Sequence, residues 1–306
     1  MEKILVTGGT GFIGKALVTR LRAEGYDPVV FSRKGILMSD GLVRPTENGL
    51  IPSDLLADLY GIVNLAGENI GKRWTSSIKS AILSSRIDTT NLIISSIRQN
   101  RRLGLPIPAV LVSASAVGYY GISPSGIQTE QSPAGEDFLA DVCRQWEQIA
   151  MSAAADGVRV TIFRFGVVLG PDGGILERMA APFKWRVGGV IGSGRQHISW
   201  IHRNDLIQAL LIPFTNLEMN GAYNLTSPNP VTMSQFMDCL GSILGSPSWT
   251  IVPGFIAKLL FGEMAESLLL ADQQVFPRRL LEQGFVFSFP ELSTALAEIY
   301  QFKTHK

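Results

Sequence analysis

The stretch that decides the fold runs from residue 3 to residue 14 and reads Lys-Ile-Leu-Val-Thr-Gly-Gly-Thr-Gly-Phe-Ile-Gly. Its apolar start predicts a short buried strand, and the apolar spacing from Ala16 to Leu21 predicts an amphipathic helix directly afterwards. Glycines stand at positions 8, 11 and 14, between the two elements. A strand, a glycine-rich turn and a helix in this order are typical of a dinucleotide-binding site.

Each glycine of the turn has its own physical task. Gly8 permits the tight turn out of the strand, Gly11 lets the backbone approach a pyrophosphate, and Gly14 lets the helix pack close to the sheet. Free N–H groups at the start of the helix then stabilise the negative charge. The alternative is an ordinary Gly-rich turn without a ligand. We predict that the cofactor is contacted here by Gly8, Thr10, Gly11, Phe12, Ile13 and Gly14.

Size and composition narrow the classes of protein. The 306 residues suffice for one large or two ordinary domains, and the net charge of +1 does not suggest a nucleic acid or an anionic membrane as the main partner. Cys143 and Cys239 show neither metal-ligand nor disulfide spacing. The longest uncharged stretch, Leu103 to Thr129, is interrupted by prolines, and the apolar run after Lys3 is too short for a signal peptide. We therefore expect a cytoplasmic protein that binds no metal.

Strand-like and helix-like patterns alternate through the first half of the chain, which predicts an α/β fold with a doubly wound parallel sheet. The segment 34–52, rich in Gly, Pro and polar residues, is predicted to be a loop. The predicted strands are 3–7, 28–32, 61–66, 109–114 and 159–165, and the predicted helices are 12–24, 75–100 and 137–155.

The pattern changes after Gly170, where turn residues become frequent. The stretch from His197 to His202 is predicted to be a strand, and Asp205 is predicted to cap the helix that follows. We expect an NADP-binding Rossmann domain at 1–170, whose sheet is completed by 195–225, and a small, mostly helical substrate or cap region at 171–306. In such folds the ligand lies in the crevice at the carboxyl edge of the sheet.

The end of the second strand indicates which dinucleotide binds. An NAD site usually places an acidic residue about 20 residues after the glycines, whereas this strand ends Phe31-Ser32-Arg33-Lys34. A guanidinium binds a 2′-phosphate through a fork of donors, and a serine hydroxyl adds another. We predict NADP, bound by Ser32 and Arg33; the alternative is that Arg33 and Lys34 are solvated loop charges.

Several stretches together resemble the extended short-chain dehydrogenases/reductases, the group of the nucleotide-sugar epimerases. They are Thr7 to Gly14, Asn64-Leu65-Ala66-Gly67, Ser113 to Gly121, Arg164 to Pro171 and Ser199 to Asp205. The chain is most similar to an atypical "epimerase family" branch with a C-terminal domain of unknown function, some of whose members are labelled cell-division inhibitors. That similarity rests on Gly67-Glu68-Asn69-Ile70 with Arg73-Trp74, Ser85-Arg86, Gly192-Ser193-Gly194 with Gln196, and the region from Gly262 to Phe285.

The resemblance implies a Rossmann fold, a small-molecule substrate such as a nucleotide sugar or another carbonyl compound, and a monomer or homodimer. It also implies further cofactor contacts at Leu65, Ala66, Gly67, Arg86 and Val167. The family's usual proton relay, Tyr-x-x-x-Lys, does not occur in this chain. Alignment of the relevant helix on Glu147 places Leu139 at the Tyr position and Cys143 at the Lys position.

Three side chains are candidates to replace the missing relay. The hydroxyl of Ser115, or of Ser113, orients a substrate oxygen, the phenol of Tyr119 on the next loop donates a proton, and Glu68 serves as a general acid or base. The alternatives are a small residue at a crowded strand end, a tyrosine that only packs, and a surface carboxylate paired with Lys72 or Arg73.

Two functions follow from this pattern, and a third, an interaction protein, is suggested only by the cell-division label of some similar proteins. One is an NADP-dependent oxidoreductase or epimerase-like enzyme with a non-standard acid or base. The other is a non-catalytic NADP-binding sensor or regulator, which the absence of the Tyr and Lys favours.

Overall fold

The computed structural model describes residues 1–32, 35–38, 43–44, 49–122 and 126–304. The strands that build the central sheet are β1 Lys3–Thr7, β2 Asp27–Ser32, β3 Gly35–Leu37, β4 Val43–Arg44, β5 Leu59–Asn64, β6 Val110–Ala116, β7 Arg159–Phe165 and β12 Gly221–Leu225. The other strands are β8 Val167–Leu169, β9 Gly189–Ile191, β10 His197–Ile198, β11 Trp200–His202, β13 Val231–Thr232 and β14 Thr250–Val252. The α-helices are α1 Phe12–Ala23, α2 Ser53–Ala57, α3 Ser76–Arg102, α4 Phe138–Met151, α5 Leu176–Ala180, α6 Arg203–Thr215, α7 Met233–Leu244, α8 Gly254–Phe261, α9 Glu263–Leu268, α10 Arg278–Glu282 and α11 Leu292–Thr304.

Eight strands of the described chain form one sheet in the order β12-β7-β6-β5-β1-β2-β3-β4. The pairs from β12 to β2 are all parallel, as the alternation of strands and helices predicts. The strand order runs outward from β1 in both directions, to β2 on one side and to β5 and β6 on the other, so a crevice opens at the carboxyl ends of β1 and β5. The predicted doubly wound α/β fold is confirmed.

The prediction of a loop over 34–52 is wrong at Gly35–Leu37. These residues form β3, which pairs antiparallel with β2, and β4 pairs antiparallel with β3. The physical reason is that Ile36 becomes fully buried when the chain folds back beside β2. A three-residue strand is too short to produce a periodic apolar pattern, so the surrounding polar residues conceal it.

Helices cover both faces of the sheet. Along β1, Ile4 and Val6 join a core cluster with α1 and α6, whereas Leu5 joins a second cluster with α2 and α3 on the opposite face. All three side chains are fully buried. Burial on both faces explains why the parallel strands consist of unbroken apolar runs.

A third apolar cluster lies in the C-terminal region, where α5, α7 and α11 pack around the fully buried Trp200. The predicted strand from His197 to His202 is interrupted: β10 pairs with β13, and β11 pairs with β8. The interruption falls at Ser199, whose buried hydroxyl donates to Gln273 O at 2.9 Å and accepts from Val275 N at 2.8 Å. Ser199 therefore attaches the 273–275 segment to the body of the fold.

Asp205 lies in the first turn of α6, and the prediction that it caps the helix is wrong. The N-cap is His202, whose Nδ1 accepts from Asn204 N at 3.3 Å. The carboxylate of Asp205 instead accepts from the backbone N–H groups of Ser288 and Phe289, each at 2.9 Å. It thereby ties a distant C-terminal segment to the sheet domain, a contact that local sequence does not reveal.

Candidate active site

The turn between β1 and α1 leaves no room for side chains at two of its glycines. A Cβ added to Gly14 would lie 2.2 Å from Gly8 O and 2.6 Å from Gly9 Cα. Gly8 has a φ of +68°, and a Cβ there would lie 2.9 Å from Leu65 O. The turn thus presents bare backbone at the start of α1, the arrangement that binds a phosphate group.

The segment that follows β5 lines the crevice opposite the glycine turn, and the side chain of Thr7 fixes the position of this segment. Thr7 Oγ1 donates to Asn64 Oδ1 at 2.7 Å and accepts from Leu65 N and Ala66 N, each at 3.1 Å. Asn64 Nδ2 in turn donates to Thr90 Oγ1 at 2.9 Å, which links this wall to α3. These buried polar residues fix Leu65 and Ala66 beside Gly8. Sequence reasoning missed this role, although a Thr before the glycines and an Asn before Leu-Ala-Gly were the available signals.

Arg86 reaches the same edge from α3. A Cβ added to Gly67 would lie 2.9 Å from Arg86 Cζ, so the guanidinium packs directly on the Gly67 backbone. Arg86 Nη1 donates to Ile82 O at 2.9 Å and to Glu68 O at 3.3 Å. Burial lowers the pKa of Arg86 from its usual value. The structure therefore brings three of the predicted contacts, Ala66, Gly67 and Arg86, together at the end of β5.

The remaining predicted cofactor contacts lie at other strand ends. Val167 opens β8, and its backbone N–H donates to Ser199 O at 2.8 Å. Ser32 ends β2, and its hydroxyl donates to Gly35 O at 3.1 Å. Arg33 lies outside the described residues, so its contact with a 2′-phosphate stays a prediction from sequence.

Ser115 belongs to a buried polar network behind the strand ends. Its hydroxyl donates to Glu147 Oε1 at 2.6 Å, and the same carboxylate binds Arg164 through two hydrogen bonds of 2.8 Å. Arg164 Nη1 also donates to the hydroxyl of Tyr120 at 2.9 Å. Burial alone would lower the pKa of Arg164, but the hydrogen bonds and charge of Glu147 outweigh it and raise the pKa. Sequence reasoning missed the Glu147–Arg164 pair.

Tyr119 and Tyr120 follow Ser115 but have different surroundings. The Tyr120 hydroxyl donates to Asn224 Oδ1 at 2.6 Å, and burial raises its pKa to about 12. The Tyr119 ring, which is half-buried, lies over the Arg164 guanidinium at 3.4 Å. Its hydroxyl makes no hydrogen bond to any residue that the structure describes. Of the two phenol groups, that of Tyr119 therefore has fewer hydrogen-bond partners among the described residues.

Glu68 lies just beyond β5. Its Oε1 accepts from Lys72 Nζ at 2.7 Å, and its backbone N–H donates to Ser85 Oγ at 2.9 Å. The predicted alternative, a carboxylate paired with Lys72, thus corresponds to an observed ion pair. A role for Glu68 in proton transfer requires that its partly exposed ion pair with Lys72 be broken.

The positions that align with the missing Tyr and Lys are both apolar in character. Leu139 and Cys143 lie one turn apart on α4, and both are buried. Leu139 packs against Gly118, and Cys143 Sγ donates weakly to Ala116 O at 3.8 Å. Burial raises the pKa of Cys143 to about 11, so the thiol is neutral at physiological pH. Neither side chain can relay a proton in the usual way.

The described residues contain no group of three His, Cys, Asp or Glu side chains arranged to hold a metal ion. Within the same ranges, none of the helices has both the length and the apolar character needed to cross a bilayer.

The sheet is doubly wound, and the glycine turn at the start of α1 faces the end of β5 at its crevice. These features define a Rossmann-type NAD(P)-binding protein. Residues 4–226 match the NAD dependent epimerase/dehydratase family, and residues 252–299 match a domain of unknown function, DUF1731. The chain belongs to the NAD dependent epimerase/dehydratase family, and it is an atypical extended short-chain dehydrogenase/reductase.

Known relatives cover almost the whole chain. It is 42% identical over 304 residues to the chloroplastic epimerase family protein SDR39U1 homolog of Arabidopsis thaliana, spanning 97% of this chain and 86% of the relative. It is 36% identical to the epimerase family protein YfhF of Bacillus subtilis, spanning 97% of both chains. The crystal structure of human epimerase family protein SDR39U1 (isoform 2) with NADPH superimposes with a TM-score of 0.83 at 35% identity, covering 98% of this chain and 99% of that one.

Proposed function

We propose that the protein is an NADP-dependent oxidoreductase or epimerase-like enzyme that acts on a nucleotide sugar or another small carbonyl compound. The observation that carries the proposal is the bare backbone of the 8–14 turn, where a Cβ on Gly14 would lie 2.2 Å from Gly8 O. A human relative of the same architecture is solved with NADPH. The substrate then lies between the 1–170 domain and the 171–306 region.

The residues that would hold the cofactor follow the carboxyl edge. The turn from Gly8 to Gly14 binds the pyrophosphate, and Leu65, Ala66 and Val167 line the path toward the nicotinamide. Ser32, at the end of β2, and Arg33, the next residue in the sequence, bind the 2′-phosphate. The bound cofactor would exchange a hydride with the substrate, and a side chain of the protein would have to donate or accept the accompanying proton.

Tyr119 is the proposed proton donor among the three candidates. Its phenol is the one that is not already bonded to a described residue, and it lies over the guanidinium of Arg164 at 3.4 Å. Ser115 acts through the buried Glu147–Arg164 pair, as a positioning residue. Glu68 is held by Lys72 and is the second candidate for proton transfer.

A non-catalytic NADP-binding sensor or regulator is the second candidate function. The observation that favours it concerns the positions of the usual relay, which hold Leu139 and Cys143. Both side chains are buried, and neither exchanges a proton at neutral pH. The two functions differ in one measurable respect. An oxidoreductase oxidises NADPH when a carbonyl substrate is present, and an epimerase-like enzyme converts its substrate while it regenerates the cofactor. A sensor binds NADPH without converting any substrate.

The choice of cofactor is tested by replacing Arg33 with alanine. The unmodified protein is expected to bind NADPH at least about tenfold more tightly than NADH, because a guanidinium pairs with the 2′-phosphate that NADH lacks. Arg33→Ala is expected to lose that preference while its affinity for NADH stays the same. Fluorescence titration with both nucleotides measures both affinities.

Arg22→Ala is the matched control, because Arg22 is an exposed arginine near the end of α1. It should retain the preference for NADPH. Equal affinities of the unmodified protein for the two nucleotides would contradict NADP specificity, and binding of neither would contradict the proposed function as a whole.

A further inference from the structure

Large apolar side chains are exposed around the paired strands β9 and β14 and on the helix α8 that follows them. Each of these residues is between 56% and 82% exposed, although apolar side chains of this size are usually buried. We call this surface the Trp249 face, and its members are Trp185, Val187, Trp249, Ile251, Phe255 and Leu259.

Hydrogen bonds hold the first four members of the Trp249 face close together. Strands β9 and β14 pair in parallel. Trp249 Nε1 donates to Arg186 O at 3.2 Å, and Thr250 Oγ1 donates to Val187 O at 3.0 Å, so the chain before β9 lies beside the chain that enters β14. Ile251 stands two residues after Trp249, and side chains two apart point to the same side of a strand.

Helix α8 adds the last two members. Only Pro253 separates it from β14. Phe255 and Leu259 are four residues apart, so their side chains lie on one side of the helix. The face therefore follows the chain without a break from Trp249 to Leu259.

The area of the Trp249 face matches one side of a protein–protein interface. An aromatic side chain buries about 150–250 Å², so three exposed aromatic and three exposed aliphatic residues together offer on the order of 800 Å². Each partner of a standard stable interface contributes about 800 Å². Tryptophan and phenylalanine are also enriched at the centres of such interfaces. The face is therefore large enough to hold a folded partner.

Charged side chains of both signs adjoin Trp249. Lys184 and Arg186 are exposed, and no carboxylate of the described residues pairs with either of them. Asp238, on α7, is also exposed; its carboxylate accepts from the hydroxyl of Ser248, the neighbour of Trp249, and pairs with no described cation. An apolar centre is thus accompanied by a cation and an anion that do not bind each other.

An open hollow of about 420 Å³ lies beside Asp238 and has Ser242, Ser246 and Ser248 in its lining. The hydroxyl of Ser246 is buried and makes no hydrogen bond to any described residue. A guanidinium has five N–H donors, so one arginine can bind a carboxylate and a hydroxyl at the same time. The chemistry of the hollow therefore fits an arginine side chain from a partner.

We propose that the Trp249 face binds the same face of a second copy of this chain, so that the protein is a two-fold symmetric homodimer. In such an interface one surface meets itself, and every contact between two different residues occurs twice. Arg186 of each copy then pairs with Asp238 of the other copy, and the apolar residues cover one another. A single surface that carries an apolar centre, a free cation and a free anion is complementary to itself in this way.

Sedimentation velocity over a range of protein concentrations measures the oligomeric state. The unmodified protein is expected to form a dimer with a Kd of about 1 μM or tighter. Trp249→Asp is expected to raise that Kd at least about 100-fold, because it places a charge at the apolar centre. Phe255→Asp should raise it at least about tenfold, and it replaces Trp249→Asp if that variant does not fold.

Leu217→Asp is the matched control, because Leu217 is as exposed as Trp249 and lies outside the Trp249 face. It should dimerise like the unmodified protein. An exchange of charges tests the arrangement of the two copies. Arg186→Glu and Asp238→Lys should each raise the Kd at least about tenfold, and the double variant Arg186→Glu/Asp238→Lys should return to within about threefold of the unmodified Kd.

Three results would overturn the inference: an unmodified protein that stays monomeric, a dimer that Trp249→Asp and Phe255→Asp leave unchanged, or a double variant that recovers nothing. A monomer that binds liposomes of phosphatidylcholine and phosphatidylglycerol, and loses that binding in Trp249→Asp, would overturn it as well and would assign the face to a membrane. None of these measurements depends on NADPH, so the inference and the proposed function fail separately.

Discussion

Replacing Gly14 with alanine is expected to abolish NADPH binding and to destabilise the fold. The added Cβ would lie 2.2 Å from Gly8 O and 2.6 Å from Gly9 Cα, and both are backbone atoms that cannot rotate away. The turn and the start of α1 must therefore separate, which moves the N–H groups that would face the pyrophosphate. We expect a loss of about 3 kcal/mol in the free energy of unfolding and at least a ~100-fold loss of NADPH affinity.

Urea denaturation and NADPH titration measure the two effects of Gly14→Ala. Gly254→Ala is the control, because an added Cβ at Gly254 makes only ordinary contacts, with Leu270 Cδ1 at 3.4 Å and Gly192 Cα at 3.9 Å. It should leave the affinity for NADPH unchanged. If Gly14→Ala binds NADPH as tightly as the unmodified protein, the turn does not hold the pyrophosphate.

Replacing Arg164 with methionine is expected to cost about 3–5 kcal/mol in the free energy of unfolding, the usual result of removing one partner of a buried ion pair. The side chains of Arg164 and Glu147 are only 5% and 10% exposed, so water cannot take the place of the lost guanidinium. Glu147 is left as a buried carboxylate with Ser115 as its remaining side-chain partner. The hydroxyl of Tyr120 also loses a donor.

Chemical denaturation monitored by circular dichroism measures this cost, and two further variants test its origin. Arg144→Met removes an exposed ion pair with Asp141 on α4 and should change stability by less than about 1 kcal/mol. The double variant Arg164→Met/Glu147→Leu should recover part of the loss, because no unpaired charge remains. A loss below about 1 kcal/mol for Arg164→Met alone would contradict the structural importance of the pair.

The fold was predictable because its signals are local. The residues from Lys3 to Leu21 contain a strand, a turn and a helix whose side-chain spacings can be read without any distant partner. Strand β3 was not predictable, since its three residues are stabilised by pairing with β2 and by the burial of Ile36. The contact between Asp205 and the backbone at Ser288 and Phe289 likewise depends on tertiary packing.

In the candidate site too, the features set by local sequence were predictable, and those set by tertiary packing were not. The glycine turn was predictable, because the backbone conformation of Gly8 and the close approach at Gly14 are properties of a short segment. The surroundings of Ser115 were not, since they depend on α4 packing behind β6 and β7, which brings Glu147 and Arg164 together. The catalytic roles of Ser115, Tyr119 and Glu68 stay predictions.

Hydrogen exchange followed by mass spectrometry, with and without NADPH, tests the central claim most directly, because it shows where the cofactor binds. The expected result is slower exchange in peptides that cover residues 3–14 and 59–70, with no change in α11 at Leu292–Thr304. Unchanged exchange at the glycine turn, or protection confined to other parts of the chain, would contradict a cofactor site in this crevice.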